Sequence, residues 1–220
     1  MLPAPLVRGY DAGSAFAYRD GRRVPVEQFL GDIARLAAAL PDRQHLLNLC
    51  TDRYPFAVGF AAALVRRQVN LLPPKETPHM IERLAGQYPD LYCLTDRPFK
   101  AAPLETVRYA ERPGPGIALA DAPAFPESQL AAIVFTSGST GQPLPYSKRW
   151  GSLVGVAAAE IEILGLPKRA GMALLGTVPP QHVFGLDATV LAVMQGGFAM
   201  HAGRPFYPAD ICAELASLPH

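Results

Sequence analysis

Between residues 45 and 94, three short apolar runs alternate with two segments of helical spacing, and that alternation limits the fold more than any other feature of the chain. Leu46, Leu47 and Leu49 read as one buried strand, residues 69–72 as a second and residues 91–94 as a third. Between them, residues 55–67 form an Ala-rich helical segment with Pro55 in its first turn, where a missing N–H is harmless, and residues 77–87 form another with Thr77 as its cap. Upstream, Asp20-Gly21 centres a hairpin over residues 18–24, and Phe29, Leu30, Ile33, Leu36, Ala37 and Leu40 recur at helical spacing over residues 26–40. Strands alternating with helices of this length predict an α/β fold, a sheet of mainly parallel strands with helices on both faces. Downstream, helices are expected over 152–164, 185–195 and 208–218, and strands over 172–175 and 197–201. Residues 110–128 are rich in proline and glycine. They read as a surface connection within one unit of residues 1–220, because the strand around Ile133 needs a sheet to join.

The strand Leu130-Ala131-Ala132-Ile133-Val134 opens directly onto Phe135-Thr136-Ser137-Gly138-Ser139-Thr140-Gly141-Gln142-Pro143. Successive backbone N–H groups and hydroxyls in such a loop suit the oxygens of a polyphosphate. The Walker pattern is excluded, since only Ser139 and Thr140 separate Gly138 from Gly141. The dinucleotide fingerprint fails at Gly114-Pro115-Gly116, where Leu119 occupies the third glycine position. A nucleophile elbow fails because Ser137 stands where a glycine is required before Ser139.

The order Thr-Ser-Gly-Ser-Thr-Gly-x-Pro resembles the adenylate-forming enzymes: acyl- and aryl-CoA synthetases, peptide-synthetase adenylation domains and luciferases. The resemblance implies that residues 135–150 hold the β- and γ-phosphates of ATP, with Thr136, Ser137, Gly138, Ser139, Thr140 and Gly141 as the binding residues. Family members usually place a lysine directly after the motif's proline, where this chain has Leu144. Lys148, one of four lysines, is then the candidate catalytic cation from a shifted position, with Arg149 beside it; a solvated surface lysine is the competing reading. Trp150, the single tryptophan, reads as a packing residue at a helix start.

A second segment, Val178-Pro179-Pro180-Gln181-His182-Val183-Phe184-Gly185-Leu186, resembles the family's next motif. There a histidine borders the reacting carboxylate, so residues 178–186 are expected to line the acyl pocket. His182 would stand beside the carboxylate, and Phe184 and Gly185 would shape the wall. His201 reads as a solvated loop residue.

Net charge is +1, so nothing in the charge balance recruits nucleic acid. Cys50, Cys93 and Cys212 are three isolated cysteines with no Cys-x-x-Cys spacing, read as buried thiols of a reducing cytoplasm rather than a disulfide frame or zinc site. The N-terminus lacks a basic segment followed by an apolar core, and the longest apolar stretch, residues 171–184, carries Pro179 and Pro180 and is too short to span a bilayer. A soluble, cytoplasmic protein is expected.

The resemblance implies an ATP- and Mg2+-dependent ligase that activates a small carboxylic acid as its adenylate and passes it to the pantetheine thiol of CoA or an acyl carrier protein. The family's Tyr-Gly-x-Thr-Glu segment, whose glutamate helps hold magnesium, its ribose-binding aspartate and its late lysine have no counterpart here. No metal ligand is therefore assigned, and the 220 residues are expected to be the first part of the large N-terminal domain, with little turnover by themselves. Two other readings stand: a nucleotide-binding half-domain that works with a partner chain, and an unrelated NTPase using the same loop.

Overall fold

The structure, a computed structural model, describes residues 3–99, 104–136, 143–166 and 172–218. Strand β1 (Ala4–Pro5) precedes the hairpin β2 (Ala15–Arg19) and β3 (Arg22–Pro25), followed by helix α1 (Val26–Ala39). Then come β4 (His45–Asn48), α2 (Arg53–Val65), β5 (Val69–Leu72), α3 (Pro78–Gln87), β6 (Leu91–Thr95) and β7 (Thr106–Arg108). A connection with a 3-10 turn at Leu119–Asp121 leads to β8 (Ala124–Phe125), β9 (Leu130–Thr136) and β10 (Leu144–Arg149). The chain continues through α4 (Trp150–Ile163), β11 (Ala173–Leu174), α5 (Val183–Leu186), a π-helical turn (Asp187–Leu191), α6 (Ala192–Gly196), β12 (Ala199–His201) and α7 (Pro208–Ser217).

Six strands form the central sheet in the order β10-β9-β5-β4-β6-β7, all parallel except β10, which runs antiparallel to β9. Because successive strand residues point to opposite faces, each strand feeds two cores. Leu46, Leu72, Tyr92, Leu94, Ala132 and Val134 enter the larger one with α1, α2 and α4, whereas Leu47, Leu71, Cys93, Ile133 and Phe135 pack with Ile81 and Leu84 of α3. The expected α/β sheet with helices on both faces is therefore what the chain forms.

Helix α2 is buried along its whole length from Arg53 to Leu64, which its alanines and Gly59 permit by letting the sheet and α1 approach closely. Two strand asparagines tie it down: Asn48 Nδ2 donates to Phe56 O at 2.9 Å and Asn70 Nδ2 to Phe60 O at 3.4 Å. Asp52 caps it, accepting from Tyr54 N at 2.9 Å, and also pairs with Arg19 Nε at 2.7 Å. A second sheet, β11-β12-β2-β3, joins the N-terminal hairpin to the later strands through the parallel pairing of Met200 with Ala17. The hairpin turns through positive φ at both Asp20 (48°) and Gly21 (70°), as the Asp-Gly pair predicts.

Three sequence expectations change. Residues 144–149 form an edge strand rather than an extension of the loop, and Pro145 is tolerated there because an outer edge has no partner for an N–H to reach. Cys212 is exposed on α7, so only Cys50 and Cys93 are buried thiols. His201 is not solvated: it ends β12, is buried, and its Nε2 lies 2.8 Å from Glu214 Oε2. Trp150 is the expected packing residue, fully buried at the first turn of α4 with Nε1 donating to Ala4 O at 3.0 Å. No helix among the described residues is long and apolar enough to cross a membrane.

Helix α4 packs against the π turn, which carries the buried Asp187, while Glu160 of α4 is half-buried with its Oε2 shielded. Among the described residues no hydrogen bond reaches Glu160 Oε2 or Asp187 Oδ1. Burial pushes the Asp187 carboxyl up to about 6, Glu160 adds to the rise, and Lys148 works against it. Since the folded-state value lies above that of an unfolded aspartate, the protonated form favours folding. The contribution is fully present below about pH 4 and is lost as pH rises through about 6. Asp187→Asn, which needs no proton to stay neutral, is expected to raise stability at pH 7.5 by about 2 kcal/mol, roughly 4–8 °C in Tm, and to leave it unchanged at about pH 4. Thermal unfolding at both pH values checks this, and an equal effect at the two would contradict it.

Candidate functional site

Parallel pairing brings the C-terminal ends of β4, β5, β6 and β9 to one edge of the sheet, the edge where open α/β sheets bind ligands. The expected phosphate loop leaves from this edge after Thr136. Ser137, Gly138, Ser139, Thr140 and Gly141 lie outside the described residues, as does the side chain of Thr136. Beyond the loop, Pro143 O accepts from Arg83 Nη2 at 3.3 Å, so a guanidinium from α3 stands where the loop rejoins the sheet.

Lys148 occupies a different place. Leu144 is paired with Thr136 at the loop's mouth, but Lys148 is paired with Ala132, four residues back along β9, about 13 Å at the strand's rise. Paired residues share a face, so Lys148 points with Ala132 toward the α4 side, where it acts on Asp187. Arg83, on the opposite face, is the cation nearer the loop. Sequence reasoning missed it because it follows the loop in space and precedes it by some fifty residues in the chain.

Beside the loop's mouth lies a cleft of about 310 Å3 at the ends of β4, β5 and β6. Lys75, Arg97 and Arg204 line it together with Glu76, Gln181 and His182. Three lining cations, against Glu76 in the lining and Asp96 beneath it, make it receptive to an anion. Burial raises the Glu76 carboxyl, while Arg97 and Arg204 pull it back down. The floor is rigid: Asp96, following β6, accepts from Thr51 N at 2.9 Å and Asp52 N at 2.8 Å, which fixes the end of β4 against the end of β6.

The second motif forms the opposite wall. Gln181 Nε2 donates to Cys50 O at 2.5 Å, hanging the segment from the end of β4. His182, the next residue, directly precedes α5, makes no side-chain capping bond to it and is exposed at the cleft. Phe184 is 64% exposed and is not among the residues that line the cleft. Gly185 is buried instead, and a Cβ there would stand 2.0 Å from Pro179 O. The glycine therefore lets α5 close against the Pro179-Pro180 turn, a packing reason distinct from shaping the pocket wall. Lys75, Arg97 and Arg204 also escaped sequence reasoning, because they come from three separate connections and share no spacing.

No protein-family model matches the chain. A stretch of 74 residues is 40% identical to the 4-coumarate–CoA ligase of Rhodobacter capsulatus, covering 33% of this chain and 19% of that enzyme. The fold matches O-succinylbenzoate coenzyme A synthetase (MenE) of Bacillus subtilis, solved with ATP and magnesium, at a TM-score of 0.73 and 18% identity. That match covers 93% of this chain and 57% of the synthetase. ATP-bound MatB of Rhodopseudomonas palustris matches at a TM-score of 0.75 and 18% identity over 94% of this chain and 46% of its own. The chain thus spans about half the length of these solved relatives. All three are adenylate-forming enzymes. In fold the chain is similar to the N-terminal subdomain of these solved enzymes.

Proposed function

We propose that these residues supply the amino-terminal part of the active site of an ATP-dependent carboxylic acid ligase, which forms an acyl- or aryl-adenylate and passes it to the pantetheine thiol of CoA or an acyl carrier protein. The observation that supports this best is the cationic cleft beside the mouth of the phosphate loop, with His182 on its far wall. Adenylation joins a carboxylate to the α-phosphate of ATP and expels pyrophosphate, so two anions must meet. Loop amides and hydroxyls of residues 136–141 hold the β,γ end, Arg83 steadies the loop's exit, and Arg97, Arg204 and Lys75 offset phosphate charge. His182 borders the carboxylate with Phe184 beside it. Lys148 contributes to charge balance around Asp187 more directly than to the triphosphate. Among the described residues no group of three or more His, Cys, Asp or Glu side chains could hold a metal ion.

The test is acid-dependent ATP–pyrophosphate exchange, run on the 220 residues and on the protein that their source gene encodes. Acid-dependent exchange by the whole protein is expected, with release of AMP once CoA or a carrier-protein thiol is supplied as acceptor, and with the 220 residues binding ATP but turning over little. Release of ADP without an acid would favour a plain NTPase, and robust exchange by the 220 residues would overturn their expected dependence on further chain. Replacing both cleft arginines, Arg97→Gln with Arg204→Gln, is expected to weaken binding of ATP or CoA roughly tenfold at low salt, the loss shrinking at about 0.5 M salt. Titration calorimetry with each ligand separately shows which one the cleft serves; unchanged affinity for both would remove the cleft from the site.

A further inference from the structure

Arg53 is the first residue of α2, 1% exposed, and it carries its charge into the interior without touching a carboxylate among the described residues. A cation at a helix N-terminus opposes the helix dipole, and burial pulls this guanidinium down to about 10. The position is costly, and the partners show what it achieves. Nε donates to Thr189 Oγ1 at 2.9 Å, Nη1 to His201 O at 3.3 Å and Gly203 O at 2.9 Å, and Nη2 to Gly176 O at 3.1 Å and Val178 O at 2.8 Å. A guanidinium has five N–H donors, and all five are used.

The acceptors are not scattered. Gly176 and Val178 lead into the loop that presents His182. Thr189 follows that loop and passes the link on, its Oγ1 donating to Gly185 O at 2.5 Å. The carbonyls of His201 and Gly203 belong to the strand end beside which the loop lies. One side chain therefore closes residues 176–189 from both sides, while Gln181 anchors the middle to Cys50 O. Gly176 is part of the fit, since a Cβ there would stand 2.6 Å from Arg53 Nη2.

We infer that Arg53 is the positioning residue of the His182 loop: acting through Thr189 and the carbonyls of Gly176 and Val178, it sets where the imidazole stands in the cleft. Lysine offers three donors on a flexible stem in place of five in a fixed fork, so it fails to hold both sides of the loop together. The catalytic half of this inference rests on the proposed ligase reading; the structural half does not.

The experiment uses three variants. Thr189→Val keeps the shape and removes the hydroxyl that links Arg53 to Gly185; Thr189→Ser restores the hydroxyl; Arg53→Lys keeps the charge and breaks the fork. Amide hydrogen exchange is read first. Exchange over residues 178–186 is expected to quicken at least about tenfold in Thr189→Val and Arg53→Lys, with β4 and β5 unchanged and Thr189→Ser like wild type. Pyrophosphate exchange by the whole protein is read second. A displaced imidazole is expected to lower kcat about 10²-fold while KM for ATP stays within about twofold, and Thr189→Ser is expected to recover the loss. Exchange that quickens everywhere, or nowhere, would overturn the positioning role. Local quickening with kcat and KM both unchanged would overturn the link to catalysis. If wild type shows no acid-dependent exchange at all, the ligase reading fails, while the hydrogen-exchange result still decides the structural half. Should Arg53→Lys fail to fold, the Thr189 pair decides the question by itself.

Discussion

Parallel pairing of β9 onto β5 is the constraint on which the site depends. It runs Asn70 against Ala132 and Leu72 against Val134, which carries the mouth of the phosphate loop to the same sheet edge as the ends of β4 and β6. Parallel strands are evenly bonded and buried on both faces, so the register admits little slippage: a shift of one residue would exchange Ile133 and Phe135 with Ala132 and Val134 between the two cores. A long connection, residues 109–129, is what the topology requires to carry the chain from β7 at one edge back to β9, parallel on the far side of β5. That explains the proline-rich stretch better than a domain boundary would.

Around that edge the molecule spends buried polar groups on fixing loops rather than on strengthening the core. Asn48 holds α2 to the sheet, Asp96 holds the end of β4, and the Arg53 guanidinium gathers three segments with neutral carbonyls and one hydroxyl. Each such group is costly to bury unless fully bonded, so each specifies one arrangement of its loop. The Glu160–Asp187 pair is the opposite case. It leaves oxygens without partners among the described residues and makes the α4 contact sensitive to pH.

Much of the fold was legible because its signals are local. Periodicity located α1, α3 and α4 to within two residues, and Thr77, Gly165 and the Asp20-Gly21 pair marked their ends and turns. β10 was not legible, since Leu144-Pro145-Tyr146-Ser147-Lys148-Arg149 is an exposed edge whose pattern a loop shares. β7 escaped for the same reason, with three residues at the sheet's other edge. Cys212 and His201 were misplaced because burial at a chain position depends on what folds over it. Glu214 covers the histidine from α7, and among the described residues none covers the thiol.

What the sequence determined by itself was the α/β class and the two motifs, since hydrophobic spacing and an ordered run of Ser, Thr and Gly are properties of neighbours along the chain. The tertiary structure decided which cations attend the site. Arg83, Arg97 and Arg204 meet the loop and the cleft only because three strand ends share one edge, while Lys148, close in sequence, is carried about 13 Å back along β10 to the α4 side. Charge acts through space, and the fold alone sets that distance.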